Sequence, residues 1–184
     1  MARDTYSIEI AGLKRKLPLF EIKPGLRIAI LNILGDTELV QASAKALAKK
    51  IKDVKYDLLV TAEAKSIPLA HALSVVTKKP YVILRKMYKP YMGAALTTET
   101  LSITTGQPQM LVLDEKDVKS VNRKKVVLVD DVISTGSTLQ GMKMLMEKAG
   151  AKVAADAAIL TEGDRALWMN VYSLGHLPLF TDSK

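Results

Sequence analysis

Cysteine is absent from this chain, so neither a disulfide nor a thiolate-bound metal is open to it. Histidine is almost absent: His71 and His176 are the only two, which excludes a multi-histidine zinc site. No run approaches the roughly 20 apolar residues that a membrane helix needs, and no membrane partner is expected. The opening "MARDTYSIEIAG" carries an acid among alternating polar residues and does not read as a secretory signal. With neither cysteines nor an export signal, the expected location is the cytoplasm. Internal repeats, low-complexity tracts and proline-rich linkers are also missing, so residues 1–184 are expected to form one domain.

One sign of charge is in excess. The net +8 favours polyanionic partners: nucleic acid, an anionic surface or a phosphorylated small molecule. The basic residues fall in short clusters, Lys14–Arg15–Lys16, Lys49–Lys50, Arg85–Lys86 and Arg123–Lys124–Lys125. Few aromatics are available to stack on bases: one tryptophan, six tyrosines and two phenylalanines. Taken singly, most of these clusters read as solvated surface; Arg85–Lys86 is the exception, because it ends an apolar strand.

The first 35 residues hold the apolar stretches Tyr6–Ile10, Leu17–Ile22 and Leu26–Leu31, separated by turn signals, and read as a small cap. From Asp36, an N-cap candidate, Leu39, Val40, Leu47 and Ile51 recur at helical spacing. Strands are expected at Tyr56–Thr61, in "PYVILRK", in "QMLVLD", at Lys125–Asp130 and in "AKVAADAAILT". Helices are expected from Ser66, with Pro68 in the first turn, and over Ser137–Ala149. The polar stretch Tyr88–Gln107 resists assignment beyond β structure around Ala95–Thr105. Strands alternating with amphipathic helices predict an α/β fold, a mainly parallel central sheet flanked by helices. Ligands of such sheets sit beyond the carboxyl ends of strands, which directs attention to the loops after Thr61, Arg85 and Asp130.

The last of these loops carries the chemistry. In "VVLVDDVISTGST", an apolar strand delivers Asp130 and Asp131, and Ser134, Thr135, Gly136, Ser137 and Thr138 lead into a helix. A helix start offers free N–H groups to an anion, and Gly136 lets the backbone approach a phosphate closely. The carboxylates would repel that phosphate and suit hydroxyls or a metal ion. A ligand that satisfies both halves carries a phosphate at one end and a diol nearby, as a ribose 5-phosphate does. Neither G-x-x-x-x-G-K-[ST] nor G-x-G-x-x-G occurs.

This segment resembles, over its whole length, the phosphoribosyl-diphosphate (PRPP) binding motif of type I phosphoribosyltransferases. "VTAEAKSIPLAHAL" resembles the diphosphate loop and following helix of the adenine and xanthine branches, and "VILRK" the strand before their mobile loop. "KPGLRIAILNILGDTELV" is similar to the N-terminal segment of adenine-type enzymes. The resemblance implies a catalytic role for Asp130 and Asp131, which would bind the ribose hydroxyls directly or through Mg²⁺. It gives the 5-phosphate to Ser134–Thr138. The diphosphate would go to Ala62, Glu63, Ala64, Lys65 and Ser66, with a non-proline cis peptide in that loop. Arg85 and Lys86 would add charge there, across the interface of a homodimer. Residues 87–108 would form a flexible lid. The implied reaction joins PRPP to a purine base in purine salvage, with diphosphate leaving.

Two departures bear on the base. A lid glutamate of adenine-type enzymes aligns with Thr104 in "SITTGQ", with Glu99 nearby. A lysine that xanthine-type enzymes place on the purine oxygen aligns with Glu162, whose carboxylate would repel a 6-oxo group and accept from a 6-amino group or a ring N–H. Asn32 resembles an asparagine that xanthine-type enzymes use on the base, or is a buried turn residue. Adenine is therefore favoured. The alternative is a PRPP-sensing regulator that binds nucleic acid through its basic surface and has little or no transferase activity.

Overall fold

The computed structural model describes residues 4–101 and 108–181. Thr104, with the whole of "SITTGQ", lies outside the described residues. The expected cap is an antiparallel sheet of β1 (Thr5–Ile10), β2 (Leu13–Lys23) and β3 (Leu26–Ala29). Ile10 and Leu17 are buried beneath it.

Asp36 starts α1 (Thr37–Lys50) as expected: its side chain accepts a hydrogen bond from the Leu39 N–H at 3.0 Å. Then come β4 (Leu58–Ala62), α2 (Ile67–Thr77) with Pro68 in its first turn, and β5 (Tyr81–Leu84). β6 (Leu96–Leu101) and β7 (Pro108–Leu113) follow, with α3 (Glu115–Val121) after them. β8 (Lys125–Ile133), α4 (Ser137–Lys148), β9 (Lys152–Glu162), β10 (Val171–Leu177) and β11 (Phe180–Thr181) complete the order. No helix among the described residues is long and apolar enough to cross a membrane.

The central sheet has the order β10-β9-β8-β4-β5, and every neighbouring pair is parallel. Side chains alternate across it, as the period of a strand requires. Leu59, Val127, Val129, Ala157 and Ile159 join the core on the side of α1 and α2. Val60, Val126 and Leu128 join the one on the side of α4. Both faces are covered, which is why β4 and β8 read as unbroken apolar runs. The chain leaves β4 toward β5 on one side and later enters β8 on the other. The switch point between β4 and β8 opens a crevice beyond their carboxyl ends.

Five elements differ from the expectation, the first being β10, an edge of the central sheet that was not foreseen. "QMLVLD" is a strand, β7, but it pairs antiparallel with β6 and meets β5 only through the Arg85–Val112 bridge. Joining β6 and β7 needs only a short connection, whereas a parallel partner needs a crossover. α3 was not foreseen; Asp114 caps it by accepting from the Lys116 N–H at 3.1 Å. β8 does not stop at Asp130: pairing with the long β9 continues through Val132–Leu160 and Ile133–Thr161. β11 returns to the cap and pairs with β3, placing Phe180 edge-on to Tyr6 with ring centroids 5.1 Å apart.

Cap and body are joined through Asp36. Arg15 donates to its carboxylate from Nε at 2.7 Å and Nη2 at 2.9 Å, and Nη2 also reaches Glu38 at 2.9 Å. Arg15, helped by the Leu39 N–H, holds the Asp36 carboxyl below the usual range. A depressed carboxyl stabilises the fold above its ordinary pKa and loses that contribution as pH falls through the lowered value. Asp36→Ala is expected to cost about 1–2 kcal/mol at neutral pH from the lost cap alone, measured by urea unfolding. The gap to wild type should narrow below about pH 4. A gap that stays constant with pH would mean that the charge of Asp36 is not what matters.

Candidate functional site

The switch-point crevice brings together the two segments that the sequence singles out. Asp130 and Asp131 lie on β8, and Ser66 stands at the start of α2, just after β4. The Ser66 Oγ lies 2.7 Å from Asp130 Oδ1 and 3.2 Å from Asp131 Oδ1. It also accepts from the Asp131 N–H at 2.9 Å. A hydroxyl has one hydrogen, so Ser66 donates to one carboxylate at a time. Asp130 Oδ1 accepts from the Asp131 N–H too, at 2.9 Å. Burial, and then the neighbouring Asp131 carboxylate, push Asp130 up to about 7. Lys65 offers the nearest opposite charge, its Nζ 3.9 Å from Asp131 Oδ2.

Ala62 ends β4, and the next peptide bond but one, Glu63–Ala64, is cis. The Glu63 side chain turns to the end of β5. Its carboxylate accepts from Arg85 Nε and from the Lys86 N–H, the latter at 2.8 Å, while the Glu63 N–H donates to Leu84 O at 2.9 Å. The loop is thus fastened on two sides, to β8 by Ser66 and to β5 by Glu63. Arg85 sits between Glu63 and Tyr91, and the Glu63 carboxylate raises its affinity for its proton.

Beyond β8 the chain turns through Ser134 and Thr135 to Gly136, the residue before α4, which has φ +77°. A side chain there would be strained by the backbone and would also strike Trp168, whose Cη2 lies 2.7 Å from the place of a Cβ. Thr135 Oγ1 lies 3.2 Å from Ser137 Oγ. Asp130 and residues 132–139 line a small cavity of about 30 Å³. Its wall carries hydroxyls and the first N–H groups of α4, the donor set an anion requires.

Glu162 ends β9 almost fully buried, and desolvation raises its carboxyl above the usual range. Around this corner Trp168 Nε1 donates to Glu162 O at 2.9 Å. His176 lies with Nδ1 2.9 Å from Thr161 Oγ1 and Nε2 3.0 Å from Gly163 O. Only a donor can face that carbonyl, so Nε2 carries a proton. Asn32 is exposed, not buried, and its Oδ1 accepts from the Leu34 N–H at 3.2 Å, a turn bond. Glu99 is exposed on β6 opposite Met110. Of the segment expected as a lid, residues 87–101 hold a 3-10 turn at Pro90–Met92 and β6. Sequence reasoning missed Trp168 and His176. Each is one of very few residues of its kind and follows a predicted strand, the one hint available.

The family model "Phosphoribosyl transferase domain" matches residues 30–172. An adenine phosphoribosyltransferase of Thermosipho africanus is 32% identical over 143 residues, covering 77% of this chain and 80% of that protein. A hypoxanthine/guanine phosphoribosyltransferase of Methanothermococcus okinawensis is 35% identical over 115 residues, 62% of this chain and 59% of that protein. Among solved structures, the adenine phosphoribosyltransferase of Thermoanaerobacter pseudethanolicus matches 94% of this chain and 95% of its own, with a TM-score of 0.65 at 22% identity. That last likeness is one of fold.

The carboxylate pair has a measurable consequence for the ligand-free protein. An acid whose pKa is raised by folding destabilises the fold increasingly as pH rises from about 4, the ordinary value, to the raised one. Asp130→Asn keeps an acceptor for Ser66 and removes the repulsion. It is expected to raise Tm by roughly 2–6 °C at pH 8 without added metal or ligand, and by little near pH 4. A variant less stable than wild type at pH 8 would overturn this account of the pair.

Proposed function

The chain belongs to the phosphoribosyl transferase family, in its type I purine branch, and from that footing we propose that it transfers the 5-phosphoribosyl group of PRPP to a purine base, adenine favoured. The products are the nucleoside monophosphate and diphosphate. The observation that carries the reading is the junction at Ser66: a pair of adjacent carboxylates and the loop after β4 share one hydroxyl, next to a cavity walled by hydroxyls and the start of α4.

In this proposal Ser134–Thr138 hold the 5-phosphate with amides and hydroxyls, which fixes one end of the ribose. Asp130 and Asp131 hold the ribose hydroxyls. The loop Ala62–Ser66, with Lys65, Arg85 and Lys86, stabilises negative charge on the departing diphosphate. A purine ring nitrogen forms its bond to C1 as the C1–oxygen bond breaks, and the electron pair leaves with the diphosphate. Asp130 and Asp131 also suit a hard divalent cation, being adjacent carboxylates whose mutual repulsion it would relieve. Among the described residues no third carboxylate or histidine completes a cage, so ligand oxygens and water would fill the shell, as Mg²⁺ commonly requires. Bound there, Mg²⁺ would supply charge neutralisation to the diphosphate. The base would lie toward Glu162 and Asn32. Exposed Met87, Tyr88 and Tyr91, beside Arg85–Lys86, support the accompanying proposal of a homodimer.

PRPP consumption with adenine, hypoxanthine, guanine and xanthine tests the reading. Adenine is expected to be used best, and Glu162→Lys should shift the kcat/KM ratio toward the 6-oxopurines by roughly tenfold or more. Asp130→Asn with Asp131→Asn should weaken PRPP binding by about a hundredfold. Turnover with none of the four bases, PRPP binding retained, would replace the enzyme by the PRPP-sensing alternative.

A further inference from the structure

The strand ends opposite the candidate site carry the molecule's excess positive charge. Residues 49–57, 78–80, 122–125 and 149–152 lead into the amino ends of β4, β5, β8 and β9, four neighbours in the sheet. These segments hold ten lysines or arginines against two aspartates, an excess as large as the +8 of the whole chain. Several cations elsewhere are answered: Arg15 by Asp36 and Glu38, Arg27 by Asp4, Arg85 by Glu63, Lys143 by Asp156. Among the described residues, no ion pair involves a cation of these four segments. Asp57, the acid closest to them in the sheet, has its carboxylate on the backbone N–H of Lys125 at 2.8 Å.

The loops surround a groove of about 680 Å³, lined by Lys52, Lys55, Lys79, Arg123 and Lys125 around the ring of Tyr56. Lys79 Nζ lies 5.7 Å from the centre of that ring. Val54 and Val76 add an apolar floor. Like charges gathered without partners repel one another and contribute nothing to folding. They do create a concave field suited to a polyanion. We propose that this groove binds the phosphodiester backbone of a single-stranded nucleic acid.

The extent of the charge favours a chain of phosphates over a small oligophosphate. Four strands about 4.8 Å apart give the cationic edge a width of about 15 Å. Lys50, Lys124 and Lys152 lie on that edge but outside the groove, beyond a ligand that merely fills it. A lipid surface is flat, whereas these charges ring a concavity. Tyr56 offers one aromatic face near the groove, the platform on which a base stacks. Lys125 opens β8 and Asp130 lies five residues further along it, about 16 Å away, so the groove and the phosphoribosyl site give separate readouts.

Fluorescence anisotropy with an end-labelled oligouridylate of about 20 nucleotides tests the proposal on the full chain. If about five phosphates are neutralised, affinity should fall roughly a hundredfold between about 50 and 200 mM salt. The triple variant Lys55→Gln/Arg123→Gln/Lys125→Gln should reduce the log–log salt slope by about two and weaken binding at least roughly tenfold, leaving PRPP binding unchanged. Its Tm should not fall, because the charges removed have no partners. The charge-retaining Lys55→Arg/Lys125→Arg should bind as wild type. Undiminished binding by the triple variant, no binding at about 50 mM salt, or displacement by tripolyphosphate as effective per phosphate as by unlabelled RNA would each overturn the proposal. Tighter capture by vesicles of phosphatidylcholine and phosphatidylserine would do the same.

Discussion

The Ser66 hydroxyl stands among three polar neighbours and can serve two of them at a time, and the geometry of the crevice follows from how it does so. It accepts from the Asp131 N–H and donates to one of two carboxylates that burial has deprived of solvent. Such a bond needs β4 and β8 side by side with their carboxyl ends level, which the Leu58–Val126 to Thr61–Val129 register provides. Thr61 reinforces that register with a side-chain bond to Val129 O at 2.8 Å. The parallel sheet thus acts as a ruler that sets the distance between two loops widely separated in the chain. Were β8 to slip by one residue, its alternating side chains would change faces, and Asp131 would leave the crevice.

Charge is divided along the length of the sheet. At the carboxyl end, two acids are crowded together against their own repulsion, with Lys65 nearest. At the amino end, unpaired lysines and arginines gather around a groove. The apolar middle of β8, Val126–Val129, keeps the two ends apart and is fully buried. Neither end is arranged to stabilise the empty protein, and the hydrophobic cores on the two faces supply the stability that permits both.

Much of this was legible in the residues. The strand–acid–hydroxyl–helix order of residues 126–138, the Asp36 cap and the unbroken apolar runs of β4 and β8 are local patterns, and local patterns survive folding. What stayed hidden depends on distant partners. β7 looks like any buried strand, and only its neighbour β6 decides that it forms a ribbon. β8 looks finished at Asp130 because charge follows an apolar run, yet the long β9 offers hydrogen bonds as far as Ile133. Glu63 reads as part of a diphosphate loop; that its carboxylate braces Arg85 requires knowing where β5 ends. Trp168 covers Gly136 across a gap in sequence that no periodicity spans. The proposed choice of base rests on single side chains, Glu162 and Asn32, whose neighbourhood is assembled from several elements.

The pairing of β11 with β3 has a consequence for the birth of the molecule. The cap is made of residues synthesised first, but its fourth strand is Phe180–Thr181. While the ribosome works through the body, the outer edge of β3 has no partner, an exposed rim of the kind that recruits other chains. The parallel core can assemble with its switch-point crevice before that rim is covered, since its last strand, β10, precedes β11. Closing the cap is therefore the late, long-range step of folding. A released chain cut just short of Phe180 would carry a complete crevice beneath an adhesive cap.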